Sequence, residues 1–220
     1  LEPYSRPFVL YGIFLRFINF KTFHRAVCSI IKISMTIILN ILFALQSISM
    51  TVSPAPHNTP FTLFNFTKGE SIKNWRIVND DVMGGISTSS FKLSKAGHGI
   101  FQGNVSTENN GGFASVRYVM DEMNIKESTR IKIKVKGDGK NYQFRIKNKT
   151  SDYFSYITTF STNGEWQVIE LKLKDFYASF RGRKLEIPNF DKNEIGQAAI
   201  LIANGKNEAF KLEIDKIEVY

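Results

Sequence analysis

Apolar and polar residues alternate along most of the chain from Phe61 onward. The clearest case is "RIKIKVKGDGKNYQFRIK", residues 130–147, in which apolar side chains occupy every second position on both sides of "GDG". A period of two is the pattern of a β-strand with one buried face, and "GDG" is typical of a tight turn. We therefore predict a β-hairpin over this stretch.

Similar short runs recur down to the C-terminus, and Gly, Asn and Asp separate them. No long stretch of this region carries the 3.6-residue period of an amphipathic helix. Ten or so strands within about 160 residues predict one all-β domain, a single β-sandwich or jelly roll. The runs are 86–93, 99–105, 113–119, 153–160, 166–173, 198–203 and 210–220.

Residues 1–57 differ from this domain and form a leader. An uncharged apolar segment at about 33–49 follows basic residues and ends in small ones, which is the layout of an export signal. It is too short and too interrupted by polar residues for a comfortable transmembrane span. A Pro-rich linker, 53–60, overlaps the first residues of the folded domain, 58–220. We expect an exported, membrane-proximal protein of the cell envelope; an uncleaved anchor and a mitochondrial presequence are the alternatives.

The charge and the cysteine content exclude several classes of partner and reaction for the domain. Residues 1–60 contain five basic residues and one acid, and residues 61–220 contain 24 basic and 19 acidic residues. The domain is thus mildly basic, and no base-stacking aromatic residue is interleaved on the face that carries the basic positions of residues 130–147, so nucleic acid is not an expected partner. The single cysteine, Cys28, lies in the leader, which excludes disulfides and thiolate chemistry from the domain. Motifs of nucleophilic, metal or phosphate chemistry are also missing, so we expect no catalysis.

The stretch "NWRIVNDDVMGGIS", residues 74–87, places two acids beside two glycines. Glycines permit a tight turn, and Asp80 and Asp81 can accept backbone N–H bonds that stabilise it, so a rigid loop is the favoured interpretation. A structural Ca²⁺ site is the alternative, because carboxylate oxygens suit this ion and Asp215 in the last strand can supply another. A catalytic acid pair is least favoured, since adjacent residues of an extended chain point in opposite directions.

A second Gly-containing stretch, "ENNGGFASVR", predicts a turn followed by a strand. Asn109 and Asn110 are candidate ligand contacts in the turn. The planar guanidinium of Arg117 can bind a carboxylate or hydroxyl groups of a ligand, or it can pair with Asp80 or Asp81 and hold two loops together. We favour the internal pair.

The polar positions of residues 130–147 form a basic stripe. Lys132 and Lys134, with Arg145 on the predicted partner strand, are candidate contacts for an acidic protein, an anionic glycan or a lipid surface. A solvated face without a partner is the ordinary interpretation of such a stripe. Tyrosines, Tyr142 among them, are candidates to line a sugar-binding cleft, so a carbohydrate-binding module is the alternative function.

The blocks "DDVMGG", "ENNGGFASVR" and "GDG", in this order, resemble the complex I intermediate-associated protein 30 family. The resemblance covers about residues 61–220. It implies a galactose-binding-like jelly roll and a non-catalytic, chaperone-like binding protein that acts on assembly intermediates of respiratory complex I. The export-like leader departs from what a mitochondrial member requires, so the assembly role is an expectation drawn from resemblance alone.

Overall fold

A computed structural model of the chain describes residues 20–46, 60–66, 71–81, 84–126 and 128–220. The chain divides into two units, Leu1–Pro56 and His57–Tyr220. The first unit contains helix α1, Phe20–Gln46, which takes in most of the apolar segment predicted at 33–49. Its described side chains, 24, 25 and 27–40, are exposed. Among the described helices, none combines the length and apolar character needed to cross a membrane. Apart from Pro60, the predicted linker 53–60 lies outside the described residues.

The described residues of the second unit form strands and short 3₁₀ turns, among them Ile72–Asn74, Glu108–Asn110 and Leu173–Asp175. Alternating apolar residues give strands such as β6 one buried face, where every second residue is buried, whereas the central strand β12 is buried on both faces. In chain order the strands are β1 Phe61–Asn65, β2 Trp75–Asn79, β3 Thr88–Leu93, β4 Gly99–Val105, β5 Ala114–Asn124, β6 Arg130–Lys136, β7 Asn141–Lys147, β8 Ser155–Ser161, β9 Trp166–Lys172, β10 Tyr177–Phe180, β11 Arg183–Lys184, β12 Glu194–Ile202 and β13 Glu208–Val219.

The strands form two antiparallel sheets, and the predicted all-β sandwich is confirmed. Sheet A has the order β3-β4-β13-β6-β9, with β1 paired to the last residues of β13. Sheet B has the order β11-β10-β8-β7-β12-β5-β2. The inner faces of both sheets supply one hydrophobic core. Its largest fully buried side chains include Tyr142, Phe64, Phe66, Phe101, Phe144 and Phe176.

The predicted hairpin over residues 130–147 is wrong. β6 lies in sheet A between β13 and β9, whereas β7 lies in sheet B between β8 and β12. The "GDG" segment therefore carries the chain from one layer to the other. Asp138 fixes this crossing, because its carboxylate accepts hydrogen bonds from the Tyr142 hydroxyl at 2.8 Å and the Lys211 backbone N–H at 2.9 Å. Alternation identifies a buried face but does not identify the neighbouring strand, which is why the sequence misled.

Candidate functional site

The buried carboxylate of Asp80, just after β2, joins three segments of the chain. One oxygen, Oδ1, accepts the backbone N–H of Ser87 at 3.1 Å. The other, Oδ2, accepts the Ser87 hydroxyl at 2.6 Å and the backbone N–H groups of Gly112 at 2.5 Å and Phe113 at 3.1 Å. The Ser87 oxygen in turn accepts the backbone N–H of Ser106 at 3.0 Å. We call Asp80, Ser87, Ser106, Gly112 and Phe113 the Asp80 junction.

Two glycines of the quoted motifs allow the backbone to approach this carboxylate. A Cβ at Gly85 would lie 2.2 Å from the Asp80 carbonyl oxygen and 2.6 Å from Oδ1. A Cβ at Gly111 would lie 2.6 Å from Oδ2 of Asp80. Neither position accepts a side chain without displacing the junction. The blocks "DDVMGG" and "ENNGGFASVR" are therefore two halves of one structural unit, in agreement with the rigid-loop interpretation.

Asn109 and Asn110 belong to the turn that closes the junction. Both adopt positive φ, 54° and 58°, a conformation that Asn tolerates better than most side chains. The Asn109 amide donates to the Gly84 carbonyl at 3.0 Å, and thereby ties the second motif to the first. Both residues are exposed. The structure thus gives Asn109 a structural contact, while ligand contact by either residue stays a prediction.

The electrostatics of Asp80 follow from these contacts. Burial acts to raise the pKa of the carboxyl, but the hydrogen bonds from Ser87, Gly112 and Phe113 outweigh it, so the pKa of Asp80 is lowered. An ionised carboxylate with four donors around it needs no cation to be satisfied. The junction can hold loops in place, and its carboxylate has little capacity left for a ligand.

The candidate cation ligands are not brought together. Asp81 is exposed. Asp215 is buried in β13, where its carboxylate pairs with Lys134 Nζ at 2.5 Å and lies 3.7 Å from His98 Nδ1. Across the described ranges, no group of three or more His, Cys, Asp or Glu side chains has the placement to hold a metal ion. The set of Asp80, Asp81 and Asp215 is therefore not assembled by this fold, and a bound Ca²⁺ stays untested.

Lys132 and Lys134 of the basic stripe on β6 pair with acids on the neighbouring strands. Lys132 Nζ lies 3.0 Å from a Glu170 oxygen on β9, and Lys134 pairs with Asp215 as described above. Arg145 is not part of this surface, because β7 belongs to the other sheet. The prediction that Lys132, Lys134 and Arg145 form one surface is therefore wrong. Lys132 and Lys134 face acids on sheet A, and Arg145 lies on sheet B.

Tyr142 is also misplaced as a ligand contact. Its side chain is 1% exposed, its ring stacks on Phe160, and its hydroxyl donates to Asp138. Burial raises the pKa of Tyr142, and the hydrogen bond to Asp138 and its charge act in the same direction. Tyr142 therefore holds the chain crossing between the sheets and is not accessible to a sugar.

Arg117 does not form the predicted pair with Asp80 or Asp81. The Asp80 oxygens are occupied by the junction, and among the described residues the Arg117 side chain has no ion pair or hydrogen bond. Instead Arg117 lies opposite Arg76 on β2 and opposite Ala199 on β12. Ala199 is opposite Arg145 on β7. Strand register thus aligns Arg76, Arg117 and Arg145 across sheet B, and we call these three residues the arginine row.

Two cations of the row, Arg117 and Arg145, have lowered pKa values. Burial lowers the pKa of Arg117. Burial and then the charge of Arg117 lower the pKa of Arg145 to about 10, against an opposing effect of Tyr177. The pKa of Lys147 is also lowered, by burial and then by Arg117, with Asp152 opposing. Arg76 was missed by sequence reasoning, because only strand pairing places it beside Arg117.

A second basic region is a cavity of about 480 Å³ between β6, β9 and the segment 190–193. It is lined by five basic residues and two acids. Glu170 accepts a hydrogen bond from Arg130 at 3.1 Å, and Asp191 pairs with Lys192 at 2.6 Å. The cavity therefore carries its own counter-charges, which the arginine row lacks among the described residues. The basic lining residues are Lys126, Arg130, Lys172, Lys174 and Lys192.

Comparisons with known proteins agree with the family resemblance. The family model for complex I intermediate-associated protein 30 matches residues 64–214. The mitochondrial complex I intermediate-associated protein 30 of Drosophila melanogaster is 24% identical over 181 residues, which cover 70% of this chain and 61% of that protein. A probable mitochondrial counterpart from Caenorhabditis briggsae is 28% identical over 191 residues, covering 74% and 55%. Both names favour the mitochondrial alternative, and the export reading of the leader finds no support in them.

Among solved structures, the family 11 carbohydrate-binding module of a cellulosomal cellulase of Clostridium thermocellum has a TM-score of 0.54 at 17% identity. It covers 73% of this chain and 93% of the module. At that identity the likeness establishes the galactose-binding-like sandwich and nothing about a ligand. The described domain is therefore a sandwich of this fold whose quoted motifs form the Asp80 junction.

Proposed function

The chain belongs to the complex I intermediate-associated protein 30 family, and we propose that it is a non-catalytic assembly factor that holds an intermediate of respiratory complex I through surface contacts. The observation that carries the proposal is the family match over residues 64–214, which spans most of both sheets. The names of the relatives support action in the mitochondrion. This chain covers 61% and 55% of their lengths, so only the part of their role that resides in the sandwich is transferred.

The construction of the domain suits a binding role. The Asp80 junction fixes two loops against β2, and the chain crossing at Asp138 fixes the two sheets to each other. A rigid scaffold of this kind keeps surface side chains in place for a partner, which lowers the entropic cost of binding. The proposal therefore requires a surface whose charges are available, and it requires no reaction.

The proposal is tested by capture of partners from membranes of the chain's own source. The tagged full chain is incubated with detergent-solubilised membranes, and bound proteins are separated on a native gel and identified by mass spectrometry. We expect complex I membrane subunits in particles smaller than the finished complex. Recovery with the finished complex alone would indicate a resident subunit, and recovery equal to that of the tag alone would contradict the proposal.

A second candidate, glycan binding, rests on one exposed aromatic group. Tyr153 is 68% exposed, and its ring lies 5.1 Å from that of Phe154 and 5.3 Å from that of Phe180. An exposed ring held by two others can stack on a sugar. If this candidate is correct, soluble polysaccharides such as β-glucans retard the wild-type chain on a native gel, and Tyr153→Ala abolishes the shift. Absence of retardation across the panel removes the candidate.

A further inference from the structure

The outer face of sheet B is more enclosed than the outer face of a sheet that meets only water. Ile157, Ala199 and Leu201 are 3%, 3% and 4% exposed, yet they are not part of the core cluster between the sheets. They alternate with core residues of the same strands, so they lie on the opposite face. Ile157 and Ala199 are aligned with the arginine row. Arg117 and Arg145 therefore lie in a recessed part of the sheet, and Arg76 is exposed on the edge strand β2.

The arrangement of the row is unfavourable for the protein alone. Arg76 and Arg117 occupy directly opposed positions on β2 and β5, and like charges so placed destabilise a sheet. Arg145 is separated from Arg117 only by Ala199, which is too small to screen them. Arg117 and Arg145 are both half-buried, so water screens their repulsion less than it would on an open surface. A structural role alone does not explain three aligned cations.

The row has no counter-charge in the described part of the chain. Each ion pair formed there involves other basic residues, and none includes Arg76, Arg117 or Arg145. Arg145 is nevertheless held in place, because its Nε and Nη2 atoms donate to Oε1 of Gln143 at 3.0 and 2.6 Å. A fixed guanidinium without an acid is prepared for an external anion.

We propose that the arginine row, Arg76, Arg117 and Arg145 on the outer face of sheet B, binds the carboxylates of an extended acidic polypeptide segment of the partner. This inference rests on the proposed function, because it makes the partner a protein. The row crosses three strand intervals, or about 14 Å. An extended peptide advances about 3.3 Å per residue, so acids at three alternate positions span about 13 Å and point to one side.

Two other ligand classes fit the site less well. A planar membrane surface meets protruding side chains, whereas Arg117 and Arg145 are half-buried beside the buried residues Ala199 and Ile157. A neutral glycan leaves the repulsion between the cations in place. Carboxylates on an extended chain neutralise the charges and use the planar fork of each guanidinium. Anionic lipid and acidic oligosaccharide are therefore outcomes of the test that would reassign the site.

The test measures binding of a labelled, terminally blocked peptide of about seven residues, with Glu at alternate positions and Ser between them. A matched peptide carries Gln in place of every Glu. Anisotropy titrations use the full chain at about 0.05 M salt and again at about 0.5 M. Two further ligands are titrated separately: vesicles that contain phosphatidylglycerol, and a soluble oligogalacturonate.

Four variants assign the site. Arg117→Gln and Arg145→Gln each remove one cation of the row, and we expect about tenfold weaker binding of the Glu peptide for each. Arg117→Lys keeps the charge without the fork, and we expect an intermediate loss. Lys172→Gln removes one charge from the basic cavity as a control, and we expect no change. Melting temperatures accompany each titration, and the two Gln variants provide independent tests if one folds poorly.

Several results would overturn the proposal. These are no binding of the Glu peptide, equal binding of the Glu and Gln peptides, or equal binding by wild type and both row variants. Loss in Lys172→Gln alone would move the site to the cavity. Binding of vesicles or oligogalacturonate in preference to the peptide, with loss in Arg117→Gln, would replace the polypeptide by that ligand.

Failure of this inference differs from failure of the proposed function. If wild type and Arg117→Gln capture complex I subunits equally, the assembly role stands and the row is not its contact surface. If wild type captures no complex I subunit while the Glu peptide still binds through the row, the assembly role fails and the anion site remains.

Discussion

The Asp80 junction and the arginine row are two clusters of charged and polar groups on sheet B and its loops, and they differ in one physical respect. At the junction each carboxylate oxygen of Asp80 has hydrogen-bond donors from its own chain. In the row the cations face one another, with no acid among the described residues. A buried charge whose hydrogen bonds are satisfied is compatible with a stable fold. A buried charge without a partner lowers the free energy of unfolding unless a ligand neutralises it.

The sequence encodes the family motifs and the proposed binding surface in different ways. The blocks "DDVMGG" and "ENNGGFASVR" supply the Asp80 junction, which needs an acid at Asp80 and glycines at Gly85 and Gly111. The arginine row carries no motif, because its members come from β2, β5 and β7 and meet only through strand pairing.

Asp80→Ala is expected to cause the largest loss. It leaves the backbone N–H groups of Gly112 and Phe113 and the Ser87 hydroxyl without their acceptor. A hydrogen bond to a charged group contributes about 1.5–3 kcal/mol, and several are lost together, so the free energy of unfolding falls by about 3 kcal/mol or more. Urea unfolding measures this directly. A loss below about 1 kcal/mol would mean that the junction does not hold the fold.

Gly85→Ala tests close approach at the same junction. The added Cβ would lie 2.2 Å from the Asp80 carbonyl oxygen, so the loop must shift. Gly205→Ala is the matched control, because its Cβ meets nothing within 4 Å and its cost comes only from a φ of +69°. That strain costs about 1–2 kcal/mol. We expect Gly85→Ala to lower the melting temperature more than Gly205→Ala, and an equal effect would contradict the packing argument.

Acid should weaken the junction before it affects the row. The lowered pKa of Asp80 means that its stabilisation is present above the unfolded-state pKa, about 3.9. This stabilisation is lost as the pH falls through the lower, folded-state value. Asp138, whose pKa is lowered by Lys140, Lys211 and Tyr142 against the effect of burial, adds to this dependence. Unfolding free energy measured between about pH 7 and 3 should fall less steeply in Asp80→Asn than in wild type.

Arg117→Gln is expected to have the smallest effect on stability. Removing this cation relieves repulsion from Arg76 and Arg145 and breaks no ion pair with a described residue. The free energy of unfolding should therefore stay within about 0.5 kcal/mol of wild type. A loss as large as that of Asp80→Ala would show that Arg117 supports the fold, and the contrast between the two regions would disappear.

Much of the fold is predictable from the sequence, because burial of alternate residues is a local property. The run predicted at 99–105 coincides with β4, and that at 166–173 differs from β9 by one residue. Strand neighbours are not local, and the "GDG" segment suits a hairpin and a crossing between sheets equally well. The pairing of β6 with β13 and β9, and of β7 with β8 and β12, distinguishes the two.

The candidate site was predictable to a smaller extent. Acceptance of backbone N–H bonds by Asp80 follows from an acid beside glycines, and the structure confirms it. The prediction of an acid partner for Arg117 is wrong, because the residue directly opposite it on β2 is Arg76. The pairing of β2 with β5 decides this, and no spacing along the chain encodes it. The prediction that Tyr142 contacts a ligand is wrong, because the sequence alone does not distinguish an aromatic residue in the core from one that lines a cleft.

The most direct test of the central claim is capture of complex I assembly intermediates by the full chain and by its Arg117→Gln variant, at equal melting temperature. We expect wild type to recover complex I membrane subunits and the variant to recover far less of them. Equal recovery by the two chains would contradict the claim that the arginine row is the surface through which this protein binds its partner.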